Sequence, residues 1–170
     1  ALLDNVGIEA AHVRVYSMGA RISAFMALSE PQRVATLVFG GLGIGMVDGV
    51  GEWYPIASAL VAEDASGITH SRGRAFRTFA DQTKSDRRAL AACIATSREL
   101  LTEDQMARIT QPTLVAVGTR DDIGGSATEL AAIMPNAVAF DIEGRDHMLA
   151  VGDKTFKARV LDFLAEHPLP

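Results

Sequence analysis

Cysteine is almost absent from this chain: among 170 residues only Cys93 is one, which excludes an internal disulfide framework. It lies among Leu90, Ala91, Ala92 and Ile94 and reads as a small buried hydrophobe. Stability without disulfides suits a reducing compartment, so the expected location is cytoplasmic. Long apolar runs are missing too. The longest weakly polar stretch, Val34 to Val47, is interrupted by four glycines and falls short of the roughly 20 residues a spanning helix needs, so no membrane partner is expected. No basic segment leads into an apolar one at the start of the chain, and a signal peptide is not visible. Positive charge is sparse, with 16 Lys and Arg against 21 Asp and Glu and a net charge of -5. The clustered basic footprint that phosphate-backbone binding depends on is therefore lacking, and nucleic acid is not an expected partner. There is no HExxH, no paired Cys-x-x-Cys and no clustered His and carboxylate spacing for a metal. Gly41, Gly43 and Gly45 miss the dinucleotide fingerprint, because Met46 and Asp48 stand where it needs glycine. No cofactor is implied.

What the chain does have is apolar material, 48% hydrophobic against 22% charged residues, enough for the core of one ordinary domain. Ala1 to Val6 reads as the last turns of a helix stopped by Gly7. Ala11 to Tyr16, Val34 to Phe39, Pro112 to Val117 and Ala137 to Ile142 are short, apolar and rich in β-branched residues, as strands buried in a parallel sheet are. Between and after them, Gly19 to Ser29, Ala127 to Ile133 and Thr155 to Ala165 carry apolar residues at helical spacing. Strands alternating with helices imply an α/β architecture, a parallel sheet flanked by helices. Residues 43–110 break that alternation with helical patterns over Glu52 to Ala62, Arg74 to Gln82 and Asp86 to Leu101. The expected organisation is a core of 1–42 and 111–170 with a helical cap insertion of 43–110. Trp53, Tyr54, Phe76 and Phe79 are concentrated in the insertion, where they either wall a ligand pocket or pack the cap.

Three positions follow predicted strands closely enough to share one edge of the sheet. Ser17 stands in Tyr16-Ser17-Met18-Gly19, between a strand and a helix. A serine there is lifted onto a sharp turn, with the Met18 N–H and the positive helix terminus beside any oxyanion that forms. Elsewhere a serine at such a junction is simply an N-cap. Asp121 follows the third strand through Gly118-Thr119-Arg120. His147 follows the fourth through Glu143-Gly144-Arg145-Asp146. A serine needs a base and an orienting acid to become a nucleophile, and these residues supply both in chain order. Asp122 and Asp146 compete with Asp121 for the imidazole, and His12, His70 and His167 compete with His147.

These motifs resemble the α/β-hydrolase fold family, of the serine esterase and lactonase type. They are Tyr16-Ser17-Met18-Gly19-Ala20-Arg21 for its nucleophile elbow, Pro112 to Asp121 for its acid strand, and Gly144-Arg145-Asp146-His147-Met148 for its base loop. The resemblance covers almost the whole chain but only about the C-terminal two-thirds of that family's domain, which implies a truncated α/β-hydrolase fold. It implies Ser17 as nucleophile, Asp121 as acid, His147 as base and Met18 as one oxyanion-hole donor. In that family the residue two before the serine is small; Val15 is β-branched and is expected to crowd the turn. The second oxyanion donor comes from a loop after the family's third strand, whereas the resemblance begins just before the fifth. Loss of one donor costs on the order of 10²–10³ in rate.

The function expected from these readings is a serine hydrolase acting on a small-molecule carboxylic ester or lactone through an acyl-enzyme. Carbon-carbon bond cleavage and perhydrolysis use the same residues. The rival from another class is a catalytically weak or inactive truncated hydrolase that serves as a binding or assembly module. Strand 11–16, central in the resembling fold, becomes an edge here, and edges recruit partners. The expected partner is a second copy in a homodimer or a complementing N-terminal fragment.

Overall fold

The four β-branched runs form one parallel sheet, and every crossover between consecutive strands carries helix. The computed structural model describes residues 2–96 and 99–169. In chain order the elements are α1 (Leu2–Asn5), β1 (Ala11–Tyr16), α2 (Met18–Ser29), β2 (Val34–Gly40), α3 (Gly45–Asp48), α4 (Tyr54–Val61), α5 (Ser71–Gln82), α6 (Arg87–Thr96), α7 (Glu103–Ala107), β3 (Thr113–Gly118), α8 (Ala127–Ile133), β4 (Ala137–Ile142), α9 (His147–Ala150) and α10 (Lys154–Glu166). The chain divides into two compact units, Ala1–Val50 with Leu100–Pro170, and Gly51–Glu99.

In the first unit the strand order is β1-β2-β3-β4, all parallel. The register pairs Tyr16 with Gly40, Gly40 with Ala116 and Gly118 with Ile142, so the carboxyl ends of all four strands lie along one edge. Every residue of β3 is buried, as expected for an inner strand covered on both faces. Strand periodicity sends alternate side chains to opposite faces. Val15 meets Gly19 of α2, whereas Tyr16 meets Phe156 of α10. On the α10 side Val38, Leu114, Ala116, Ile142, Ala150, Phe156, Val160 and Phe163 form a continuous apolar core. Helix α10 is started by Asp153, whose carboxylate accepts from the Thr155 and Phe156 amides, satisfying donors that a helix start otherwise leaves orphaned.

In the second unit α4, α5 and α6 pack around Ile56, Leu60, Ala80 and Ala91. Trp53 and Phe76 join that cluster edge to face, with centroids 6.2 Å apart, while Tyr54 and Phe79 are exposed. The guanidinium of Arg77, buried beside them, donates to the carbonyls of Ala59 and Ala62 and pairs with Asp81.

The predicted helix over 86–101 is helical from Arg87 to Thr96, and Glu99, Leu100 and Leu101 are not helical. Residues 97 and 98, which it also spans, lie outside the described residues, as does residue 1 of the predicted N-terminal turns. The physical reason for the shorter helix is that Leu101 is used elsewhere. It is 1% exposed, and its N–H donates to the Met46 carbonyl at 3.1 Å in the sheet-containing unit. None of the helices described is long and apolar enough to cross a membrane.

Candidate active site

Ser17 stands between the end of β1 and the start of α2 with φ 53° and ψ -119°, a backbone region that costs an L-residue about 1–3 kcal/mol. Hydrogen bonds on both sides hold it there: its N–H donates to the Gly40 carbonyl at 2.7 Å, and its carbonyl accepts from Ala20 at 2.9 Å. The strained turn lifts the hydroxyl off the strand end, with Met18 as the first residue of α2. Val15, expected to crowd this turn, is seated against Gly19. A Cβ placed on Gly19 would stand 3.2 Å from that of Val15, so the missing side chain at Gly19 makes room for the valine.

Two loops bring the partners of Ser17 to it. After β3, Asp121 turns back on its own backbone, and its Oδ1 accepts from the amides of Ile123 at 2.8 Å and Gly124 at 2.9 Å. After β4, Asp146 caps α9 by accepting from Met148 at 3.0 Å and Leu149 at 2.8 Å, which makes His147 the first residue of that turn. The loops are fastened to each other. Arg120 donates its N–H to the Arg145 carbonyl at 3.0 Å, and Gly144 donates to Thr119 Oγ1 at 2.8 Å. Gly118 is required for this approach, since a Cβ on it would lie 2.1 Å from the Arg145 carbonyl oxygen. The Arg145 side chain ties the loop to α10 through Asp153, Nε to Oδ2 at 2.6 Å.

The result is a continuous chain of hydrogen bonds. His147 Nδ1 lies 2.8 Å from Asp121 Oδ2, and His147 Nε2 lies 2.8 Å from Ser17 Oγ. Burial works to raise the Asp121 pKa, but the hydrogen bond and charge of His147 and the two backbone amides outweigh it, leaving the carboxyl below its ordinary value. An ionised carboxylate only accepts, so Nδ1 carries the proton, and Nε2 of a neutral imidazole is left to accept from the serine hydroxyl. Both side chains are shielded from water, His147 6% and Asp121 0% exposed. This arrangement allows a proton to pass from Ser17 to His147 with Asp121 steadying the resulting cation.

Asp146 and the competing histidines are engaged elsewhere. Asp146 serves α9, and Asp122 is exposed. His12 is paired with Thr36 Oγ1 at 2.8 Å. His70 caps α5 by accepting from Gly73, and His167 donates to the Phe163 carbonyl at 2.8 Å. Sequence reasoning missed Tyr16, whose hydroxyl donates to the carbonyl of His147 at 2.7 Å. A tyrosine at the partly buried end of a strand must find a partner for its O–H, and that requirement was the available signal. Thr119, Gly118 and the Arg145–Asp153 pair were also missed, because their roles depend on two loops meeting that are far apart in sequence.

The chain matches no protein-family model and no curated protein. Solved structures do share its fold. A hydrolase from Pseudomonas aeruginosa is 27% identical with a TM-score of 0.72, over 96% of this chain and 68% of that one. An esterase from a marine microorganism is 19% identical with a TM-score of 0.70, over 95% and 73%. A meta-cleavage product hydrolase from Pseudomonas fluorescens is 17% identical with a TM-score of 0.61, over 98% and 69%.

Proposed function

Because this chain has the α/β-hydrolase fold over about 70% of the length of such structures, we propose that it is a serine hydrolase cleaving a small carboxylic ester or lactone. The observation that carries this reading is the run of two 2.8 Å hydrogen bonds from Ser17 through His147 to Asp121. Ser17 Oγ attacks the ester carbonyl carbon as His147 Nε2 takes its proton, and Asp121 stabilises the imidazolium. The Met18 N–H, at the positive end of α2, helps hold the oxyanion. The carbon-oxygen bond then breaks and the alcohol leaves with the proton from His147. Water, deprotonated by the same imidazole, releases the acid and returns the proton to Ser17.

The test is fluorophosphonate labelling of the purified chain, mapped by mass spectrometry. The expected result is an adduct on Ser17 that disappears in Ser17→Ala and in His147→Ala, and forms on the order of 10²–10⁴-fold more slowly in Asp121→Asn. A folded chain that takes up no label would overturn the proposal and favour the second reading, a binding or assembly module. That reading is supported by β1, which among the described residues pairs only with β2.

A further inference from the structure

We propose that Tyr16 is a positioning residue that sets the distance between the nucleophile and its base, an inference that rests on the serine-hydrolase reading above. Tyr16 is joined to Ser17 by a peptide bond and to His147 by the 2.7 Å hydrogen bond from its hydroxyl to the His147 carbonyl. One side chain thereby connects the strand that carries the nucleophile to the loop that carries the base. Asp121 fixes the imidazole tautomer and one edge of the ring, but it is bonded to the ring and does not hold the backbone from which the ring projects. Tyr16 holds that backbone.

The tyrosine itself has little freedom. Its ring lies over the end of β2, where a Cβ on Gly40 or Gly41 would stand 2.6 Å or 2.4 Å from ring atoms. Gly41 is also at φ 65°, so two glycines leave the space the ring occupies. Its other neighbours are the Phe156 ring at 6.5 Å and the imidazole of His147 at 5.4 Å. Burial, with the charges of Asp121 and Asp146, pushes the phenol above its ordinary pKa, which keeps the O–H a donor over the working range of a histidine base. Misplacing reacting groups by about 1 Å costs roughly a hundredfold in rate, so a device that fixes the serine-to-imidazole spacing matters to kcat. Because Tyr16 makes no contact with the substrate in this reading, KM is not its concern.

The experiment compares the wild type, Tyr16→Phe and Phe163→Leu for fluorophosphonate labelling of Ser17, for kcat and KM on p-nitrophenyl acetate, and for the downfield proton resonance of His147 Nδ1–H. Phe163 belongs to the same apolar core and controls for lost stability, with all rates taken per folded molecule by near-ultraviolet circular dichroism. For Tyr16→Phe the expected result is a fall of roughly ten- to a hundredfold in labelling rate and kcat, an unchanged KM, and a shifted or broadened resonance. Phe163→Leu should lower Tm while leaving all three as in the wild type. If Tyr16→Phe lowers Tm alone and keeps wild-type kcat and resonance, Tyr16 is only a packing residue and the inference is overturned. An unlabelled, inactive wild type is a different failure, that of the hydrolase reading itself.

Discussion

At the scale of single residues the elbow depends on a pair, Val15 and Gly19. Sequence reasoning identified Val15 as the misfit because it considered one position at a time. The space for its branched side chain is provided four residues later, where a strand gives way to a helix and the two positions face each other across the turn. A Cβ added at Gly19 would be 3.2 Å from that of Val15, tighter than ordinary van der Waals contact. Gly19→Ala is therefore expected to destabilise the chain by about 1–3 kcal/mol through overpacking, and to slow labelling of Ser17 by disturbing the turn. In a Val15→Gly background the same substitution should cost little, because the Cβ and the methyl group it would strike are both gone. Denaturant unfolding of the four combinations gives the coupling energy directly. Equal costs in both backgrounds would show that the Val15 contact is not what forbids a side chain at Gly19.

Among the elements, the strands were legible and the loops that aim the side chains were not. Each strand is a run of apolar, β-branched residues closed by glycine or a turn, and that pattern located Ser17, Asp121 and His147 at strand ends. It could not show that His147 opens a one-turn helix, since four residues carry no periodicity. The Thr102-Glu103-Asp104-Gln105 capping box of α7 has a readable spacing and begins directly after the helix expected over 86–101. The aspartates at the helix starts act as fasteners, and Asp153 does so twice, for α10 and for the base loop through Arg145. The Thr155 hydroxyl and the Arg145 guanidinium lead the contacts that hold its carboxyl well below the ordinary value of 3.8. A depressed folded-state pKa contributes stability that is complete above the ordinary value and is lost as pH falls through the folded one. Asparagine caps helices nearly as well as aspartate, so Asp153→Asn removes mainly the charge. Thermal unfolding from pH 7 to about pH 1.5 should show the variant below the wild type near neutrality, with the gap narrowing only once the pH passes below the ordinary value of 3.8. A gap of constant size across that whole range would mean that the carboxylate charge does not contribute.

On the scale of the whole molecule the sheet is unevenly finished. β3 is buried throughout, whereas β1 has no fully buried residue, and among the described residues its only strand partner is β2. Along this margin Val13 and Val15 are half-buried, and Ile22 of α2 is 58% exposed. An open cleft beside the start of β1 continues this margin with a mixed lining, Leu2, Val13 and Met26 together with Asp4, Glu30 and Arg33. Edge strands that stay single usually carry charge or proline to discourage pairing. β1 has Arg14 for this purpose, but the Arg14 guanidinium lies over the Phe156 ring, 5.3 Å from its centroid. We therefore expect this margin to recruit a second copy of the chain. Light scattering coupled to size exclusion should give a mass above that of one chain at high concentration, falling toward the single-chain mass on dilution. Ile22→Glu, at an exposed helix position that the fold does not use, should move that transition to at least about tenfold higher concentration, the effect of roughly 1.4 kcal/mol. A folded chain that keeps the single-chain mass at every concentration would remove the argument for pairing between copies.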